Sequence, residues 1–507
     1  MNDNRLPIFV VLPLTAAFLL PLFGKKGKSL AMLVANLVTI FLLALSISCI
    51  GQEGIYEVGK WPIPLGINMV LDGLSALVLL TICVVSAAVM LYSTRYMEQY
   101  TAKSKFLSLF LLMVTGLNGA VLSGDIFNLF VFLEIASLTS YALVGFGCRD
   151  DELEAAFKYM VLGEVASMLV LFAIAIVYAN TGALNMAYIS KALAGKSLNP
   201  SMAFALVLFI SSFGLKSALV PFHAWLPDAH SSAPTPISAM LSGVFIKGLG
   251  VYALVRVIFN IFSVSIPLGW ILIILGIVSM VVGVFLAVGQ WDFKRLLAYH
   301  SISQMGYVIL GVGMGALILA QNGSVAWASM AILGGLFHLA NHAVFKSLLF
   351  LTSGSVEMST GTRHLKELGG LAEKLPFTRA ACAIASASIA GVPPFNGFWS
   401  KLLLVIAAVQ SQMYWLAVIT VIVSLVTLIS FLKVQRYIFL GELPENLSRI
   451  KEHRGSMLFG MLALACLCVI MGLLLIPQVR AVVLDPAVKV LTDGLLYSSK
   501  IIGSGVN

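Results

Sequence analysis

The feature that most restricts this chain is a succession of apolar stretches, each about as long as a bilayer is thick. Fourteen are legible: 6–23, 29–50, 69–93, 105–122, 125–147, 156–180, 201–220, 234–260, 267–288, 296–319, 326–353, 377–409, 413–440 and 456–477. About twenty apolar residues in a helix cross the hydrocarbon core, and a helix satisfies its own backbone hydrogen bonds there. The expected fold is an all-α polytopic protein of the cell membrane with about fourteen transmembrane helices. Only 10% of the 507 residues are charged, against about 25% in an ordinary soluble domain. The first stretch is long enough to span, so it reads as a retained helix and not as a removable signal peptide.

The loops alternate in charge. Basic residues gather at Lys25, Lys26 and Lys28, at Arg95, Lys103 and Lys105, and at Arg149. They gather again at Lys294 and Arg295, at Arg363, Lys366 and Lys374, and at Arg449, Lys451 and Arg454. The intervening loops are poor in them, with Lys60, Lys191 and Lys196 as the main exceptions. The positive-inside rule then puts the basic loops in the cytoplasm and both termini outside. It also accounts for the net charge of +9 without a nucleic-acid partner.

The chain resembles itself at an offset of five helices. Tyr141-Ala-Leu-Val-Gly145 is echoed by Tyr307-Val-Ile-Leu-Gly311, Phe157-Lys158 by Phe345-Lys346, and PFHAW at 221–225 by PFNGF at 394–398. An odd offset inverts the second copy in the membrane, an architecture of transporters with discontinuous helices. The expected division is 1–104 (helices 1–3), 105–262 (first repeat, helices 4–8), 263–440 (second repeat, helices 9–13) and 441–507 (helix 14 and tail). Prolines should break helix 7 near Pro221 and helix 12 at Pro393-Pro394. The polar tract PDAHSS at 227–232 reads as a turn between helices 7 and 8.

Charges inside the apolar stretches are costly and mark function by default. Lys216 and Lys247 lie in 213–256, and Lys247 is about 16 Å of helix past Pro236. Glu134 is about 14 Å of helix past Asp125, near mid-membrane, and is the natural counter-charge for Lys216. His338, His342 and Lys346 recur at i, i+4 and i+8, which puts them on one helix face; imidazoles in such a row can pass protons. Lys401 follows the second proline break, where carbonyls freed from the helix can solvate it. Glu164 is a further buried carboxylate, for which packing and function are both open. His223, Asp228, His230 and His300 are accessory candidates; the first three read as a polar way in or a coupling loop. Asp72, Asp125 and Arg256 read as structural charges at helix ends. No cysteine pair has C-x-x-C spacing, so no iron–sulfur cluster or other metal site is expected on this chain. The tract AGKS at 194–197 lacks the first glycine of a phosphate-binding loop.

These residues lie in recognisable company. LPDAHSSAPTPISAMLSGVFIKGLGVYALVR, DIFNLFVFLEIASLTSYALVGF, RLLAYHSISQMGYVILG, HLANHAVFKSLLFL and GVPPFNGFWSK resemble the antiporter-like subunits of the respiratory complex I superfamily. The chain is similar to the D-type subunits of Mrp sodium/proton antiporters and to related subunits of membrane-bound hydrogenases, over roughly residues 65 to 440. The resemblance implies a glutamate–lysine pair at Glu134 and Lys216, a lysine at Lys247 linked to the row His338, His342 and Lys346, and an end at Lys401. It implies a proton-translocating subunit of a multi-subunit complex, whose redox module, with iron–sulfur or hydrogenase subunits, sits on other chains. It equally implies the other reading, a subunit of a sodium/proton antiporter without a redox partner. A structural membrane subunit that moves no ion is the weaker third reading. No cofactor, and no redox or hydrolytic chemistry, is expected on this chain itself.

Overall fold

The computed structural model describes residues 3–23, 27–453 and 455–503. Lys25, Lys26 and Arg454 of the basic loops lie outside the described residues.

The architecture is almost wholly helical. The N-terminal part holds α1 (Ile8–Leu19), α2 (Lys28–Ser48) and α3 (Gly73–Tyr96), with the hairpin β1 (Gly54–Glu57) and β2 (Asn68–Leu71) before α3. There follow α4 (Lys103–Leu122), α5 (Ile126–Val144), α6 (Asp150–Thr181), the short α7 (Met186–Leu193), α8 (Pro200–Lys216) and α9 (Trp225–Ser232). The long central helices are α10 (Thr235–Phe262), α11 (Ile266–Val288), α12 (Phe293–Ala320) and α13 (Val325–Thr360). The chain ends with α14 (Pro376–Ala390), α15 (Asn396–Gln410), α16 (Tyr414–Phe439), α17 (Ser456–Leu475), α18 (Pro477–Val483), α19 (Asp485–Thr492) and α20 (Leu496–Gly503).

Eleven of these helices, among the described residues, are long and apolar enough to cross a membrane. The other three apolar runs appear as shorter pieces: α1 with a following 3₁₀ turn, α8, and the pair α14 and α15. The chain is a multi-pass membrane protein.

Local chemistry explains the ends. Asp72 caps α3 and forms a reciprocal box with Ser75, and Asp125 accepts from the Phe127 and Asn128 amides at the start of α5. Such caps satisfy backbone donors that no earlier turn can reach. Two interruptions dominate. Between α8 and α9 the chain is non-helical over 217–224, and between α14 and α15 over 391–395. Gly391 closes α14 at φ +78°, a conformation that favours glycine.

PDAHSS is not a turn. It forms most of α9, with Pro227 in the first turn, where a missing N–H costs nothing. Helix α10 starts at Thr235–Pro236 for the same reason and is almost entirely buried. From Leu241 to Tyr252 it widens to i→i+5 turns, a geometry that recurs at functional sites. α3, α10, α12 and α13 are mostly buried, while α2, α6, α11, α16 and α17 present large apolar side chains outward.

Candidate functional site

Lys216 is the last residue of α8, at the first interruption. Its ammonium donates to Ser137 Oγ on α5 and to Ser167 Oγ on α6, each at 3.1 Å. Glu134 Oε1 lies 3.8 Å from Lys216 Nζ, and Ser167 Oγ donates to the same oxygen. Ser167 therefore stands between the two charges as a shared partner. Glu164, one turn earlier on α6, has a buried Oε1 without a hydrogen-bond partner among the described residues.

Lys247 sits in the widened part of α10. Its ammonium folds back onto the Ser242 carbonyl. It lies within electrostatic reach of His338, His342 and Lys346 on α13. Two glycines permit this placement. A Cβ at Gly243 would collide with Ser347 Oγ on α13, and one at Gly250 with Ser217 just past the end of α8. One turn to either side of Lys247, α10 is thus pressed against the interruption on one flank and against the histidine helix on the other.

On α13, His338 pairs with Ser400 Oγ (2.9 Å) and Gln304 Oε1 (3.2 Å). His342 and the Lys346 ammonium are buried with no hydrogen-bond partner among the described residues. The row ends at Lys401 on α15, which donates to the Ile389 carbonyl (2.7 Å) and to Ser424 Oγ (3.1 Å). Ile389 is in the last turn of α14, where carbonyls have no helical donor. The ammonium also lies 4.7 Å from the Tyr307 ring centre.

The accessory candidates divide. His230 is buried on α9, its ring 5.1 Å from Phe350, within reach of Lys247 and Lys346; it joins the row. His300 pairs with Ser430 Oγ at 2.8 Å, within reach of Lys346 and Lys401. His223 lies in the 217–224 turn, partly exposed. Asp228 is partly exposed and binds Arg295 (2.8 Å) and Lys158 (3.4 Å). Among the described residues no three His, Cys, Asp or Glu side chains gather as a metal site.

With this arrangement in view, the comparisons are specific. Residues 123–427 match the family described as NADH:quinone oxidoreductase/Mrp antiporter, transmembrane. The chain belongs to that family. Residues 57–107 also match the N-terminal part of chain 5 of NADH-ubiquinone oxidoreductase (complex I). Within the family, the D-type Na(+)/H(+) antiporter subunit of Alkalihalophilus pseudofirmus is 32% identical, over 96% of this chain and 99% of that one. The N-type NADH-quinone oxidoreductase subunit of Desulforudis audaxviator is 33% identical over 92% and 94%. A chain of the solved Mrp complex from Dietzia superposes with a TM-score of 0.88 at 28% identity, covering 98% of this chain and 99% of that one. This is an antiporter-like membrane subunit of the kind found in Mrp and complex I assemblies.

Two ion pairs made by buried cations were not expected from the sequence. Arg256 on α10 makes a two-pronged contact with Asp72 at 2.7 and 2.9 Å; Asp72 is at a helix end, but Arg256 is enclosed within its helix. The signal available was Arg256 standing in an apolar span with Asn260 one turn on, which accepts from it at 3.2 Å. Lys294, expected as a loop charge, is buried and reaches Glu357 at 3.2 Å and the Ala233 carbonyl at 3.1 Å. The sequence echo of Phe157-Lys158 in Phe345-Lys346 joins unlike places: Phe157 and Lys158 are exposed, Phe345 and Lys346 buried.

Proposed function

We propose that this chain moves protons across the membrane along Glu134, Lys216, Lys247, His338, His342 and Lys401, with Lys346 as a branch toward the basic-loop side and Glu164, His230 and His300 beside it. The observation that carries the reading is an imbalance. Lys216, Lys247, Lys346 and Lys401 are 4%, 1%, 0% and 5% exposed, and of the four only Lys216 has a carboxylate within ion-pair distance among the described residues. Fixed structural charges in a membrane come paired; titratable ones that share partners and water mark a proton route. Fourteen crossings, inverted repeats at 105–262 and 263–440, and both termini outside complete the proposed architecture. Cysteine labelling of position 26 from outside intact cells would contradict that orientation.

The chain works beside other membrane subunits of one complex, in the lipid bilayer, with no nucleic-acid partner. We infer a redox module on other chains, iron–sulfur or hydrogenase subunits, as the driving force, and no cofactor on this chain. The kinship with a D-type sodium/proton antiporter subunit supports the second reading, exchange of H⁺ for Na⁺ without a redox partner. Identifying the chains that copurify separates them: iron–sulfur or hydrogenase polypeptides support the first, small membrane subunits alone the second.

The proton route is tested in proteoliposomes holding the assembled complex. Glu134→Ala and Lys216→Ala should each reduce transport to background while the complex still assembles. Pumping at the normal rate would end the proposal; loss of assembly instead would make the pair a structural tie.

A further inference from the structure

We propose a phospholipid site on the face opposite the Arg95–Lys105 basic loop, in a two-part cleft between α2, α3, α13 and the helices that close the chain. The deep part is a crevice of about 370 Å³ lined by apolar side chains, among them Leu80, Ala340, Val344 and Leu474. Its single hydroxyl, Thr81, is already committed to the Leu77 carbonyl at 2.8 Å. Such a wall offers nothing to a polar ligand and accepts a hydrocarbon chain.

The crevice runs into a second space of about 310 Å³, with which it shares Ile50, Leu77, Leu80 and Val483. That upper part is charged. Asp485 is taken by Arg480 at 3.1 Å and Lys500 by Asp493 at 3.3 Å. Glu53 and Lys489, both exposed at the mouth, have no ion-pair partner among the described residues. Lys489 is the exposed charge on α19, whose other side buries Val488 and Leu491. Amphipathic helices with one apolar and one charged side, here carrying Asp485 and Lys489, lie at the level of lipid headgroups.

One free cation and one free carboxylate above an apolar crevice match a zwitterionic phospholipid with a primary ammonium. Its phosphate meets Lys489, its ammonium meets Glu53, and one acyl chain descends along α3. Each volume falls at the low end of the range of small-molecule sites, about 300–1,000 Å³. Ala340 and Val344 are each two residues from a member of the His338–His342–Lys346 row, about 200° around α13. The bound chain therefore braces that helix from behind, opposite its titratable face.

The test uses the purified complex, stripped of lipid in detergent and recharged with a phosphatidylethanolamine bearing brominated acyl chains, read by native mass spectrometry. Lys489→Glu reverses the mouth, and Leu80→Trp fills the crevice. Each should lower retained lipid about tenfold, equivalent to 1.4 kcal/mol. Phe285→Trp, on the exposed side of α11, should leave retention unchanged. Unchanged retention in the first two variants overturns the site, as does equal loss in all three, which would mean annular lipid only. A photo-crosslinking residue placed at Leu473 should capture the lipid; capture of a neighbouring polypeptide instead would assign the cleft to a subunit contact and overturn the proposal.

Discussion

Lys216 and Lys401 stand beside the two interrupted helices, and the protein holds them by opposite means. Lys216 ends the helix before its break, and a carboxylate answers it: Glu134 at 3.8 Å, with Ser167 shared between them. Lys401 begins after its break, and backbone answers it: the Ile389 carbonyl at 2.7 Å, a hydroxyl and a tyrosine face. A full counter-charge favours a charged lysine, while carbonyl dipoles tolerate both forms. The Glu134 side thus offers its lysine a full counter-charge, and the Lys401 side only dipoles and a ring face. Lys247, whose one hydrogen-bond partner among the described residues is the Ser242 carbonyl, resembles the second kind.

Removing each ammonium in turn should affect the two ends unequally. Lys216→Met leaves Glu134 facing an apolar group. Breaking a fully buried pair costs about 3–5 kcal/mol, and the partial exposure of Glu134 reduces this. Lys401→Met leaves the Ile389 carbonyl unpaired, about 1–3 kcal/mol, while the Ser424 hydroxyl keeps its bond to the Ala390 carbonyl at 2.8 Å. Thermal unfolding of the purified complex should therefore drop further for Lys216→Met, and Glu134→Gln added to it should restore part of the loss. Equal drops, or no restoration, would mean that the two ends do not differ as described.

The next largest effect concerns what joins the ends. Gly250→Ala puts a methyl group into Ser217 where α10 meets the first break. Overpacking of this kind costs about 1–3 kcal/mol. It should slow transport through an assembled complex while Glu134, Lys216 and Lys401 remain in place. Gly243→Ala, against Ser347, should do the same from the other flank. Full pumping in both variants would show that the close approach of α10 to its two neighbours is packing alone.

Much of this was legible in the sequence, because the membrane makes charges conspicuous. Glu134, Lys216, Lys247 and Lys401 stand out against apolar neighbours, and the spacing of His338, His342 and Lys346 alone puts them on one face. The family motifs named the same positions. What stayed hidden depended on contacts between distant segments. Arg256 meets Asp72 across 184 residues, and no local pattern announces that. Lys294 looked like a loop cation because it follows a helix, yet it turns inward to Glu357. PDAHSS has the composition of a turn, but prolines in a first turn are compatible with a helix, and packing of Trp225, Leu226 and His230 made it one. Gly243 and Gly250 were invisible as contacts, since a glycine's neighbours are known only in three dimensions.

The smallest expected effect isolates one partner of Lys401. Tyr307 does two things: its hydroxyl donates to the Thr420 carbonyl at 3.0 Å, and its ring face lies under the ammonium. Tyr307→Phe removes only the first, about 1 kcal/mol for a single hydrogen bond, and Thr420 O remains inside helix α16. The ring still faces the cation, so transport should stay near normal with a slightly lower thermal midpoint. Tyr307→Leu removes the face as well, about 0.5–2 kcal/mol of cation–π attraction in a desolvated place. Because that attraction acts only on the charged form, its loss should change how transport depends on pH as well as stability. Measuring pH profiles of both variants decides the point. Identical profiles for Tyr307→Phe and Tyr307→Leu would show that the ring is a spacer, and that the carbonyl of Ile389 and the hydroxyl of Ser424 alone set the proton affinity of Lys401.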